Sequence, residues 1–261
     1  MSHLMSAVVP PADLLHFIER GSGPPLLLVH GLMVSGEMYG PVMDRLAGHR
    51  LIVPDLRGHG RSRHLPPPYT AAQLAADLAR LLDHLGVGAA AVLGYSQGGA
   101  IAQQLALDHP TRCRRLVLAC TYAFNMATWR ERLEGHATPF LLRALGIRRF
   151  ARLVTSVGMK GADGAHAAWL AGLIASQDRD LMAQAWKQAM AFDSRGRLGE
   201  IRCPTLIVAA ADDQAVPMHH ARMLHEGIAG SRLVVVEGAD HALAFTRPDA
   251  LVDAVQDFVA G

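Results

Sequence analysis

The stretch Gly94-Tyr95-Ser96-Gln97-Gly98-Gly99 decides how this chain is read. It follows the apolar run 89–93 and precedes a helix-forming run, 100–107. Strand, G-x-S-x-G, helix is the layout of a nucleophile elbow, in which a serine is held on a strained turn above a sheet. Its glycines permit a turn too tight for side chains. The turn also sets Ser96 near a helix N-terminus, where free backbone N–H groups favour developing negative charge. In a chain with 25 glycines this pattern also suits an ordinary loop before a helix, so its surroundings carry the decision.

Upstream, 14–20 reads as an early strand ended by Gly21-Ser22-Gly23-Pro24-Pro25. The run 26–29 (Leu-Leu-Leu-Val) is continuously apolar, as expected of a strand buried on both faces. It leads into His30-Gly31-Leu32-Met33, where a loop begins. A helix is expected over 38–47 and a strand over 51–53. The glycine-punctuated loop Asp55-Leu56-Arg57-Gly58-His59-Gly60-Arg61-Ser62 follows, extended by Pro66-Pro67-Pro68. Thr70-Ala71-Ala72-Gln73 resembles a capping box opening a helix to about residue 85. After the elbow, a helix ending before Pro110 and a strand over 115–119 are expected.

From 121 to 200 the strand–helix alternation lapses. The residues there are mostly helix formers, broken at Gly135, Pro139, Gly146, Gly158 and 161–164, and they include all three tryptophans. This stretch is expected to be a helical cap on a core made of 1–120 and 201–261. Arg143, Arg148, Arg149 and Arg152 read as its solvated face. Alternation resumes with strands at 205–209 and 232–236 and helices at 217–228 and 248–259. Repeated βα units imply an α/β fold, a mostly parallel sheet flanked by helices.

At 261 residues, 51% hydrophobic and 18% charged, the chain is long and apolar enough for a large packed core. A formal charge of +2 gives no electrostatic reason to expect nucleic acid or an anionic membrane as partner. No apolar run approaches the roughly 18 residues that span a bilayer, and residues 1–6 lack the features of a secretory leader. Cys113, Cys120 and Cys203 are odd in number and lack C-x-x-C spacing, so free thiols and a cytoplasmic location are expected.

Active groups in such sheets collect in loops after the carboxyl ends of strands. A serine nucleophile needs a general base. Of the fourteen histidines, His241 lies in the loop after the last strand and is the expected base. His30 precedes Gly31 in a turn and is expected to order that loop. His59 and His64 are expected at the surface or bracing their loop. His219, His220 and His225 share one helix, but with no carboxylate or cysteine in register they are not read as a metal site. Asp212 and Asp213 follow the strand 205–209, and spacing alone admits either as the acid that orients the base. Oxyanion donors are expected from the N–H of Gln97, after the nucleophile, and of Leu32, after His30-Gly31.

Taken together, these pieces resemble the α/β-hydrolase superfamily. The matching segments are His30–Met33, Asp55–Ser62, Gly94–Gly99, Ala210–Pro217 and Gly238–His241. The resemblance spans 14–261 apart from the cap. It implies a catalytic triad in the order Ser96, Asp213, His241. The acid in that family commonly lies four residues before a proline, here Pro217, which selects Asp213. One departure is Ala210, where a glycine is usual. A serine at the elbow argues against haloalkane dehalogenase and epoxide hydrolase activity, which use aspartate there. The resemblance implies hydrolysis of an apolar carboxylic ester or lactone through an acyl-enzyme, without cofactor or metal, by a monomer or homodimer. Carbon–carbon bond hydrolysis and perhydrolysis share the same triad. Acyl transfer, or a small-molecule receptor with slow turnover, is the alternative of another class. Phe124, Trp129, Phe140 and Trp186, with Met126, Trp169, Met190 and Phe192, are candidates for an apolar substrate pocket.

Overall fold

The computed structural model describes residues 11–46, 48–158 and 164–260. Among the described residues seven strands form one sheet: β1 (Phe17–Arg20), β2 (Pro25–Val29), β3 (Arg50–Pro54), β4 (Ala90–Tyr95), β5 (Cys113–Ala119), β6 (Thr205–Ala210) and β7 (Arg232–Val236). Their spatial order is β1-β3-β2-β4-β5-β6-β7, and only the edge strand β1 runs antiparallel to its neighbour. The helices are α1 (Gly40–Met43), α2 (Ala71–His84), α3 (Gln97–Asp108), α4 (Trp129–Leu145), α5 (Ile147–Gly158), α6 (Gly164–Ala175), α7 (Arg179–Met190), α8 (Met218–Gly227), α9 (Leu243–Thr246) and α10 (Pro248–Ala260).

The continuous apolar runs follow from burial on both faces of the sheet. Leu26, Leu28, Leu93, Val117 and Val208 point into one core, with α10 and parts of α4 to α7. Leu27, Val29, Val92, Leu118 and Ile207 point into the other, with α2, α3 and α8. Leu26, Leu27, Leu28 and Val29 are all fully buried, and each such side chain contributes about 1.5–3 kcal/mol on leaving water. Helices on both faces leave no solvent side on which polar residues could alternate.

Three local expectations are corrected. The helix expected over 38–47 is a 3-10 turn, Gly36–Tyr39, and the single turn α1, with residue 47 outside the described residues. Tertiary hydrogen bonds tie the 3-10 turn down at both ends. Gly36 N donates to Asp55 Oδ1 at 2.8 Å, and Tyr39 Oη donates to Val29 O at 2.9 Å. The capping box of α2 is half made: Thr70 Oγ1 accepts from Gln73 N at 3.2 Å, but the Gln73 side chain turns to Asp77.

The third correction concerns Gly135 and Pro139, which lie inside α4 and do not break it. Proline lacks the N–H that would bond the carbonyl four residues back, here Gly135 O. Trp186 Nε1 from α7 donates to that carbonyl instead, at 2.9 Å. Gly146 does end α4, and α5 is described as far as Gly158, where the described residues break off. Of the remaining expected break, 161–163 lies outside the described residues, as do 1–6. Arg143, Arg148, Arg149 and Arg152 are exposed, as expected.

Candidate active site

Ser96 sits between β4 and α3 with φ 54° and ψ −123°, a region that costs a non-glycine residue on the order of 1–3 kcal/mol. Close packing holds it there. A Cβ on Gly98 would lie 2.1 Å from Val29 O, and one on Gly94 would lie 2.4 Å from Gly98 O. Helix α3 therefore starts against the end of β2, and only glycine allows that approach. Thr121 Oγ1 donates to Ser96 O at 2.5 Å, and Ser96 N donates to Ala119 O at 2.9 Å.

The structure brings Ser96, His241 and Asp213 into one hydrogen-bonded row. His241 Nε2 is 3.1 Å from Ser96 Oγ, and His241 Nδ1 is 2.8 Å from Asp213 Oδ2. Asp213 is buried, and its Oδ1 accepts from Ala215 N and Val216 N at 2.9 and 2.8 Å. The turn thus fixes one carboxylate oxygen and aims the other at the imidazole. Asp212 is exposed, and its main-chain N–H donates to Ala239 O at 2.8 Å, tying the acid loop to the histidine loop. Burial lowers the pKa of His241, but the Asp213 carboxylate outweighs it by charge and hydrogen bond, holding the imidazole above its ordinary value. Ala210 ends β6 in extended register with Val236, so no glycine conformation is asked of it.

Gln97 follows Ser96 as the first residue of α3, and Leu32 follows Gly31. The Gly31 backbone packs on Ser96, a Cβ there lying 3.3 Å from Ser96 Cβ. Among the described residues, neither Leu32 N nor Gln97 N donates a hydrogen bond. His30 orders the loop as expected. Its Nε2 accepts from Leu56 N at 2.9 Å, so the proton is on Nδ1, which donates to Gly31 O at 2.7 Å. His59 is fully buried, away from the surface, and its Nδ1 lies 3.1 Å from Arg57 O. Burial pushes its pKa down to about 3. The Asp55–Ser62 loop is braced by Asp55, which accepts from Gly36 N and Arg61 N, and by Arg57, which holds Asp77 of α2 through two hydrogen bonds.

The candidate pocket residues separate. Trp129 and Phe140 are 72% and 74% exposed. Gly135 and Leu142, seven apart, mark the inward face of α4, and Trp129, Leu133 and Phe140 fall on the opposite face. Trp186 is half-buried, with its indole N–H on Gly135 O. Phe124 is half-buried beneath the Arg195 guanidinium, 4.0 Å from the ring centre. Trp169 meets Phe245, close after His241, edge to face at 5.2 Å. Phe192 lines a cleft with Tyr69, Gln97 and Ala189.

Sequence reading missed Tyr95 and Glu131. Tyr95 Oη donates to His241 O at 2.7 Å, but within the elbow motif its position accepts any residue, so spacing carried no signal for it. Glu131 on α4 reaches His219 and His220, while His225 turns to Ser231 Oγ. Cys113 and Cys203 are free thiols with Sγ atoms 3.7 Å apart. Among the described residues no helix is long and apolar enough to cross a membrane.

The chain is similar throughout its length to known proteins. The RutD protein of Azorhizobium caulinodans, named provisionally a carbamate hydrolase, is 32% identical, the match covering 95% of each chain. The pimeloyl-[acyl-carrier protein] methyl ester esterase of Neisseria meningitidis is 31% identical over 93% of this chain and 97% of its own. The enol-lactonase of Burkholderia xenovorans superposes with a TM-score of 0.84 at 28% identity, covering 95% and 96% of the two chains. The sequence model of the alpha/beta hydrolase fold matches residues 24–248. The chain belongs to the α/β-hydrolase family.

Proposed function

We propose that the protein hydrolyses a carboxylic ester or lactone through an acyl-enzyme on Ser96. The supporting observation is the row Ser96 Oγ, His241 Nε2, His241 Nδ1, Asp213 Oδ2, with hydrogen-bonding distances of 3.1 and 2.8 Å. In this reading Ser96 Oγ attacks the substrate carbonyl as its proton passes to His241 Nε2. Asp213 holds the tautomer with the proton on Nδ1 and stabilises the imidazolium that forms. The Leu32 and Gln97 N–H groups receive the oxyanion, and the helix N-terminus at Gln97 adds favourable field. His241 then gives its proton to the leaving oxygen as the C–O bond breaks. Water, deprotonated by His241, attacks the acyl-enzyme, and the proton returns to Ser96 as the acid departs.

The helices between β5 and β6, within 121–200, act in this reading as the cap. Two contacts support it: Gly60 N donates to Gln177 Oε1 at 2.9 Å, and Trp169 packs on Phe245. The relatives' names point to acyl carbonyls in three settings, namely methyl ester, enol-lactone and carbamate. A panel of p-nitrophenyl esters of graded chain length, with lactones and an aryl carbamate beside them, tests the choice. Ester or lactone turnover should dominate and vanish in Ser96→Ala. More than a few per cent of wild-type turnover in a folded Ser96→Ala protein would sink the assignment.

A further inference from the structure

The side chains of Glu131, His219 and His220 converge where α4 meets the first turn of α8. Their nearest nitrogen and oxygen atoms all lie within 4.8 Å of one another. Glu131 Oε1 is 2.9 Å from His219 Nε2 and 3.0 Å from His220 Nε2. Metal–ligand bonds of about 2.0–2.1 Å in a tetrahedral zinc site place neighbouring ligand atoms about 3.3 Å apart, close to these separations.

Hydrogen bonding accounts for the cluster incompletely. His219 Nε2 is buried and makes no hydrogen bond despite its proximity to the carboxylate. Two imidazole nitrogens thus crowd one oxygen, and only His220 bonds it with good geometry. A cation between the three atoms would satisfy all of them. The carboxylate is already oriented for that role: Glu131 Oε2 accepts from Thr128 N at 2.8 Å within the capping box of α4. Such outer contacts commonly fix the direction of a metal ligand. His220 is fully buried with its ring against Tyr122, and the His219 side chain is 39% exposed although its Nε2 is buried.

We infer that Glu131, His219 and His220 form a site for a divalent transition-metal cation, best suited to Zn²⁺, that ties the helical insertion to the core. Two imidazoles and one carboxylate are a donor set that favours zinc and its first-row neighbours over calcium or magnesium. The ligands come from opposite sides of the join: Glu131 from the helices between β5 and β6, both histidines from the helix that follows the Asp213 loop. The cation would therefore fasten the insertion in place without touching the reacting atoms.

The test is a Co²⁺ titration of tag-free, chelator-treated full-length protein, followed by visible absorption and then by displacement with Zn²⁺. One Co²⁺ per chain should give intense four-coordinate bands that Zn²⁺ abolishes, and Zn²⁺ should raise Tm by mass action. Glu131→Gln and, separately, the more exposed His219→Gln should weaken Co²⁺ binding by at least about tenfold, with folding checked by circular dichroism. Absence of stoichiometric bands would overturn the inference. So would bands unchanged in both variants, which would put the metal on other histidines of the fourteen. A Glu131→Gln variant of lower Tm, in a protein whose Tm does not respond to Zn²⁺, would reduce the cluster to a hydrogen-bonded latch and overturn it equally.

Discussion

The hydroxyl of Tyr95 donates a hydrogen bond to the main-chain carbonyl of His241 across 2.7 Å. It also accepts from Ala244 N at 3.4 Å. The residue immediately before Ser96 thereby fixes the backbone of the loop that carries the histidine, 146 positions away in sequence. Tyr95→Phe should keep the fold, lower stability by about 1 kcal/mol, and reduce kcat more than it changes KM, since it loosens His241 and no substrate contact. Urea unfolding and steady-state ester kinetics measure both. An unchanged kcat would show that the histidine loop is held by its other contacts alone.

Asp213 and Asp212 should behave differently although they are adjacent. Asp213→Asn removes the acceptor that holds the proton on Nδ1, and kcat should fall on the order of a thousandfold or more. Asp212→Asn changes an exposed side chain and should cost less than about threefold, as surface substitutions generally do. Single-turnover rates on one activated ester compare the two directly. Equal losses would contradict the geometry of the acid loop.

The pH profile follows from the direction of the His241 shift. In the proposed mechanism the imidazole must be neutral to accept the serine proton, so kcat/KM should fall as pH drops through its pKa. Because the Asp213 carboxylate outweighs burial and raises that pKa, the midpoint should lie above the ordinary histidine value of about 6.5. The linked stability has the opposite sense: the protonated His241–Asp213 pair favours the folded state at low pH, a contribution lost as pH rises through the folded pKa. In Asp213→Asn the midpoint of the residual activity should move down. A profile flat between about pH 5 and 9 would remove a titrating histidine from the mechanism.

Gly98→Ala tests the packing of the elbow. Its added methyl would meet Val29 O at 2.1 Å and His30 O at 2.5 Å. Main-chain atoms cannot swing aside, so the cost should reach about 3 kcal/mol, the upper end for overpacking. Gly88→Ala, with open space at that position, is the control. Thermal unfolding of the two should differ clearly; matching Tm values would mean that α3 can slide away from β2.

The sequence by itself determined the strands and the elbow, because both are local. Four adjacent apolar residues at 26–29 imply burial on two faces, and the glycines around Ser96 imply a turn whose backbone leaves no room for side chains. It also placed His241 and Asp213 each in a loop after a strand, and the structure brings the two within hydrogen-bonding distance. Choosing between Asp212 and Asp213 needed the Asp213–Pro217 spacing of the resembled family. In the structure it is Asp213 that meets His241, because two N–H groups of the turn capture one of its oxygens and direct the other.

Other features were decided by tertiary structure alone, because the partners lie far apart in the chain. Pro139 was expected to break a helix, and it does not, because Trp186 bonds the carbonyl that proline leaves free. Trp129 and Phe140 were candidate pocket residues, yet which face of α4 turns inward was fixed by its packing on α7. The bond from Tyr95 to His241, the approach of Cys113 to Cys203, and the meeting of Glu131 with His219 and His220 depend on how β4, β5 and β6 lie side by side and on where the helices between β5 and β6 come to rest. Local propensity and periodicity report what a segment prefers to be; they hold no record of the distant side chain that completes its hydrogen bonds.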